Sequence, residues 1–148
     1  MNQLSSILSL DNIILDVNAT SKKRAFEQVA LLFENNQGIA RSTVFDGLFS
    51  RERLGSTALG HGVAIPHGRI PKLEQAHAAF LRLSTPIPFD APDGQNVQLL
   101  VCLLVPESAT QQHLDLLAAI AQKLSDDSVR QQLLTETDPQ VIHGLLTN

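Results

Sequence analysis

The chain has 148 residues, 43% of them hydrophobic, and a net charge of −4. That is enough for one domain over residues 1–148 with a core of its own, and it excludes an unfolded polar chain. No basic cluster exceeds SKKR at 21–24, aromatics are 4% and Trp and Tyr are absent, so a charged surface with stacking platforms for nucleic acid is excluded. The single cysteine, Cys102, excludes an internal disulfide and a Cys-rich metal cage, and its place inside VQLLVCLLV marks it as a buried thiol. The opening MNQLSSILSLDN shows no leader pattern, and no apolar run approaches the ~20 residues that cross a bilayer. A cytoplasmic chain without membrane insertion is expected.

In chain order, NIILDV at 12–17 reads as a strand or extended segment. Ala25, Phe26, Val29, Leu32 and Phe33 recur at helical spacing, behind Thr20 or Ser21 as cap and ahead of Gly38. A second helix is predicted from Thr43 to about Leu54, capped by Ser42, with Phe45, Leu48 and Phe49 inward and Gly55 as its stop. GSTALGHGVAIPHG follows, with a short strand at its VAI centre. HAAFLRLS at 77–84 reads as a strand, then TPIPFDAPDGQN as a connector with a turn at Asp93-Gly94. Residues 97–105 are apolar apart from Gln98, as a strand covered on both faces would be. Ser108 to Gln111 has the form of a capping box for a helix over 109–124, with Leu114, Leu117, Ile120, Ala121 and Leu124 on one side. Ser125 or Asp126 can cap a further helix through Leu134, and Asp138-Pro139 reads as N-cap and first residue of a last one. This order implies a layered α/β domain with a mixed β-sheet.

Among five histidines, no HExxH or Cys/His ladder suggests zinc. Without G-x-S-x-G or GxxxxGK[ST], neither a serine hydrolase nor a Walker-type phosphate loop is indicated. No metal and no cofactor is expected. The chemistry concentrates on GHGVAIPHGRI at 60–70. Pro66 constrains the path into His67, and Gly68 leaves no Cβ beside the ring on the way out. A neutral imidazole is a competent nucleophile at pH 7 and can take and release a phosphoryl group. That group adds about −1.5 to −2 charge, so cationic or N–H donors should surround it. Arg51 offers a planar fork for phosphate oxygens, or is a surface arginine complementing a helix C-terminus. Arg53 reads as solvated, and Ser56 and Thr57 as turn residues. His113, in the first turn of a helix, can steady an anion as a neutral ring, or is a surface histidine. His61, His77 and His143 read as structural or surface residues, and Asp90 and Asp93 as turn residues.

RERLGSTALGHGVAIPHG resembles the active-site pattern of the phosphotransferase-system enzyme IIA of the fructose/mannitol/nitrogen class, where an RE pair precedes an sTxxGxGxAxPHG block. TPIPFDAPDGQNVQLLVCLLVP is similar to that family's PIxFdaxDgxxVxLLfxLlvP segment. QQHLDLLAAIAQKL resembles its next helix, and SKKRAFEQVALLFENNQGI its first. The likeness covers essentially the whole chain, and the GxGxAIPHG and RERLGST style resembles the nitrogen-regulatory branch.

The resemblance implies a mixed β-sheet flanked by helices on both faces, with the site at one end of the sheet. It implies that His67 is the phosphoryl acceptor, that Arg51 stabilises the phosphate, and that His113 supports the ring or the phosphate. The implied donor is a small phosphocarrier protein, HPr-like or the nitrogen-type NPr. The output is signal transduction to regulatory target proteins: transferase chemistry in a regulatory role. A soluble sugar-specific IIA that passes phosphate to a membrane permease shares the chemistry. A non-phosphorylated interaction module is the reading from another class.

Overall fold

The computed structural model describes residues 2–109 and 111–148. After a 3-10 turn (Gln3–Ser6) come β1 (Leu8–Val17), α1 (Lys22–Gln37), α2 (Arg41–Glu52), β2 (Ala58–Gly60), β3 (Val63–Ala64), β4 (His67–Ile70), β5 (His77–Ile87), β6 (Val97–Pro106), α3 (Gln111–Leu124), α4 (Asp127–Thr135) and α5 (Pro139–Thr147). Among the described residues the strands form one six-stranded sheet in the order β1-β5-β6-β3-β2, with β4 also paired to β6. β5 and β6 are antiparallel, β1 runs parallel to β5, and both β3 and β4 run parallel to β6. The sheet is mixed, as expected.

Alternation along β6 divides the core. Leu100, Cys102 and Leu104 join α1 and α2 through Phe26, Val29, Phe33, Val44 and Leu48. Leu99, Val101, Leu103 and Val105 join α3, α4 and α5 through Leu116, Ile120, Leu124, Leu133 and Ile142. Helices therefore cover both faces, which is why this strand is apolar nearly throughout. Cys102 is fully buried, and burial pushes its thiol pKa up.

Several helix ends match their chemistry. The Ser21 hydroxyl accepts the Arg24 N–H, Asp126 accepts from Ser128 and Val129, and Asp138 accepts from Gln140 with Pro139 behind it. Gly38 closes α1 at φ +70°, where a residue without Cβ is unstrained.

Other expectations need correction. β1 starts four residues before 12, because Leu8 pairs with Ala78 on the sheet. α2 starts at Arg41 without a side-chain cap, and the Glu34 carboxylate accepts the Arg41 N–H at 3.0 Å in place of Ser42. It ends at Glu52, three residues before Gly55, whose N–H bonds back to the Glu52 carbonyl. β5 continues to Ile87, opposite Val97, so Thr85 to Ile87 belong to the sheet rather than the connector. Capping of α3 between Ser108 and Gln111 involves residue 110, outside the described residues. The inward stripe of α3 is His113, Leu116, Ile120 and Leu124, and Leu114 is 59% exposed. Ile120 and Leu124 are buried as expected and Leu117 and Ala121 pack partly against the same core, so the error is Leu114, whose inward place His113 takes.

Candidate functional site

His67 opens β4, beside Leu103 of β6. Ile65 N–H bonds to the Thr57 carbonyl, and the Pro66 carbonyl takes the Leu103 N–H. These bonds hold the Ile65–Pro66 segment on both sides. The Ile65 carbonyl then lies 2.7 Å from His67 Nδ1. A carbonyl only accepts, so Nδ1 carries the proton and Nε2 keeps its lone pair.

Gly68 has a different reason from the one expected. A Cβ there would lie 2.6 Å from the carbonyl carbon and oxygen of Gly47. Gly68 lets α2 press directly onto β4; it does not open space beside the ring. That contact places the end of α2, and with it Arg51, against the site. The glycines before the histidine serve the β2–β3 hairpin. His61 and Gly62, at φ +56° and +79°, form its two-residue turn, which needs positive φ at both positions. Asp93 accepts the His61 N–H at 2.8 Å and also that of Gln95, and these bonds hold its carboxyl below the usual range.

Arg51 sits in the last turn of α2, and its Nη1 donates to the Gly55 carbonyl at 2.8 Å. His67 has a depressed pKa: burial disfavours the imidazolium first and the Arg51 charge adds to this, against the Ile65 hydrogen bond and Glu52. Burial and the nearby guanidinium thus favour the neutral ring. Arg53, just past the helix, is exposed.

His113 is 8% exposed, not a surface residue. Its ring stands edge to face with that of His67 at a centroid distance of 5.7 Å. Both its nitrogens are buried and make no hydrogen bond among the described residues. Its pKa is lowered by burial, then by the charges of His67 and Arg69. Buried polar groups are almost always paired, so this ring in the first turn of α3 stands out among the described residues.

The other candidates lie in structural roles. His143 Nε2 bonds the Leu8 carbonyl, His77 is half-buried with its pKa lowered by burial, and the Ser56 hydroxyl donates to Phe89. Asp90 approaches Lys22 at 3.9 Å, with its side chain 95% exposed.

Sequence reasoning missed Glu52. Its carboxylate is buried and accepts from the Thr57 hydroxyl, the Thr57 N–H and the Lys22 ammonium. The visible signal was its place beside Arg51. It missed Arg69 as well, which bonds the Glu107 carbonyl at the rim of the site.

The family model described as "Phosphoenolpyruvate-dependent sugar phosphotransferase system, EIIA 2" matches residues 6–148. A nitrogen regulatory protein of Bradyrhizobium diazoefficiens is 40% identical over 143 residues, 97% of this chain and 94% of the relative. The crystal structure of nitrogen regulatory protein IIA-Ntr from Neisseria meningitidis superposes with a TM-score of 0.94 at 46% identity, covering 99% of this chain and 100% of that one. The mannitol IIA of Escherichia coli, at 20% identity and a TM-score of 0.78 over 94% of this chain and 98% of that one, shares the fold. By sequence and by structure, the chain belongs to the EIIA 2 family of the phosphoenolpyruvate-dependent sugar phosphotransferase system, and within it is similar to nitrogen regulatory proteins.

Proposed function

We propose that the protein is a phosphoryl carrier whose His67 Nε2 accepts phosphate from a phosphohistidine of a small phosphocarrier protein, HPr-like or NPr-like. Its phosphorylation state then changes its binding to regulatory targets in the cytoplasm. One observation carries this reading: Nδ1 is committed to Ile65 at 2.7 Å, which leaves the Nε2 lone pair free on a neutral ring. In the transfer, Nε2 attacks phosphorus as the donor's N–P bond breaks. The donor ring, protonated on its second nitrogen, leaves as neutral imidazole. His67 keeps its Nδ1 proton and now carries the phosphoryl group. Arg51 turns its fork from the Gly55 carbonyl to the phosphoryl oxygens, and a His113 nitrogen donates to the same group. Catalysis here is positioning and charge stabilisation.

Leu54, 83% exposed three residues after Arg51, and Leu114, 59% exposed and next to His113 in the chain, are apolar side chains for a docking partner to cover. No helix among the described residues is long and apolar enough to cross a membrane. The test is intact-mass analysis after incubation with the phosphoenolpyruvate-driven carrier cascade. One acid-labile phosphoryl group on the wild type, absent from His67→Ala, is the expected result. Stoichiometric modification of His67→Ala, or none of the wild type beside an active carrier control, overturns the reading.

A further inference from the structure

The His67 ring is held by a carbonyl that has little support of its own. Ile65 lies just past β3, a strand of two residues. Pro66 has no N–H, so the Ile65–Pro66 peptide plane has no donor-side hydrogen bond. Its tilt depends on the bonds either side, Ile65 N–H to the Thr57 carbonyl at 3.1 Å and Leu103 N–H to the Pro66 carbonyl at 2.9 Å. The second is anchored in the central strand. The first depends on where Thr57 stands, at the end of the loop leaving α2.

Thr57 is fixed by Glu52. The carboxylate accepts the Thr57 hydroxyl at 2.6 Å on one oxygen and the Thr57 N–H at 3.0 Å on the other. Lys22 of α1 donates to that second oxygen at 3.0 Å. Side-chain exposure is 3% for Glu52 and 18% for Lys22, so the carboxylate is withdrawn from water and satisfied from both sides. Burying a charge this way is costly, and hydrophobic replacements often serve stability as well or better. A buried carboxylate with three donors is therefore suited to fixing geometry. An unbroken chain of hydrogen bonds runs Lys22–Glu52–Thr57–Ile65–His67.

We propose that Glu52 and Thr57 are positioning residues for phosphoryl transfer, holding through Ile65 the carbonyl that keeps His67 in its Nδ1–H tautomer with Nε2 free. The inference rests on the phosphoryl-carrier reading for its function and on the hydrogen-bond geometry for its mechanism. Glu52 also acts on the ring through its charge, which opposes the lowering of the His67 pKa.

The test uses the full chain with Thr57→Val, nearly isosteric but without the hydroxyl, Thr57→Ser, which restores it, and Glu52→Gln. Two quantities are read: the tautomer of His67 from imidazole 15N shifts, and kcat and KM for phosphoryl transfer from the carrier. Thr57→Val and Glu52→Gln should each show a mixed tautomer population. Each should lower kcat about tenfold, the scale of one lost hydrogen bond, with KM within about twofold because the docking surface is untouched. Thr57→Ser should restore both readouts. A wild-type tautomer and kcat in either variant, or a kcat loss that Thr57→Ser does not restore, overturns the inference. If Thr57→Val does not fold, Glu52→Gln against wild type decides it. If the wild type takes no phosphoryl group, the functional reading fails, while the 15N spectra still decide the positioning claim.

Discussion

The rings of His67 and His113 meet edge to face at 5.7 Å but in opposite bonding states. His67 Nδ1 is satisfied by the Ile65 carbonyl, whereas both nitrogens of His113 are buried without a partner among the described residues. An unsatisfied buried polar group costs roughly 1–3 kcal/mol. A ring there for packing alone would be replaced profitably by a hydrocarbon, so stability and function should respond in opposite directions. His113→Leu is expected to melt at the same or a higher temperature than wild type. The phosphoryl group on His67 should at the same time form or persist roughly ten- to a hundredfold less well, the worth of one hydrogen bond to a charged group. Calorimetry and the half-life of the phosphorylated protein measure the two effects. Unchanged transfer and an unchanged half-life of the phosphorylated protein would assign His113 to packing alone.

The contact of Gly68 with Gly47 makes a second prediction. A Cβ on Gly68 would lie 2.6 Å from backbone atoms of α2, which cannot move aside as a flexible side chain can. Gly68→Ala should cost about 1–3 kcal/mol by overpacking, and it should slow phosphoryl transfer because α2 carries Arg51. Gly144→Ala is the control: in α5 the new Cβ would meet, among the described residues, Asn148 Nδ2 at an ordinary contact distance of 3.9 Å. There alanine should add roughly 0.5–1 kcal/mol of stability. Denaturant titration compares the two. Equal effects would show that the α2–β4 approach is loose.

Arg51 is assigned by its place at the end of α2 and by its charge acting on His67. Arg51→Ala should raise the His67 pKa, since a lowering influence is removed, and should slow transfer roughly ten- to a hundredfold. Arg51→Lys keeps the charge but loses the fork. It should leave the pKa near the wild-type value while recovering only part of the rate. NMR titration of His67 beside single-turnover kinetics checks both. If both substitutions move the rate alike and neither moves the pKa, Arg51 is no more than a helix-end cation.

Much of this fold is legible in local chemistry. Ser21, Asp126 and Asp138 announce helix starts because their side chains bond backbone N–H groups within three residues. The unbroken apolar run of β6 announces a strand covered on both faces. Errors arise where long-range contacts decide. The four-residue strand β4 exists because β6 lies beside it, and nothing in HGRI alone demands it. Gly68 is legible as unusual, but its reason, the α2 backbone, lies some twenty residues away in sequence. The site divides in the same way. His67 and Arg51 stand out through their neighbours in the chain. The burial of His113 and the role of Glu52 appear only when α3, α1 and the loop before β2 come together.

The depressed histidines also predict a pH dependence with a definite sign. His67 is lowered first by burial and then by Arg51, and His113 by burial and then by the charges of His67 and Arg69. Unfolded, each titrates near its ordinary value of about 6.5. Between the lowered folded values and that value the unfolded chain binds more protons, so stability rises with pH across this window. Their contribution is fully present above about pH 6.5 and is lost as pH falls through the folded pKa values. The carboxyls of Glu34, Asp93 and Asp126 are themselves lowered and titrate below this range. Melting temperature should therefore fall as pH drops from about 7.5 to 5, and the fall should be shallower in a His67→Leu, His113→Leu double variant. His77, also lowered by burial, keeps part of the slope. Phosphoryl acceptance should persist at a pH where a free histidine is already protonated, because the nucleophile stays neutral. A melting temperature that rises on acidification over this range would mean the two rings are charged in the folded protein, and the neutral-nucleophile mechanism would have to be abandoned.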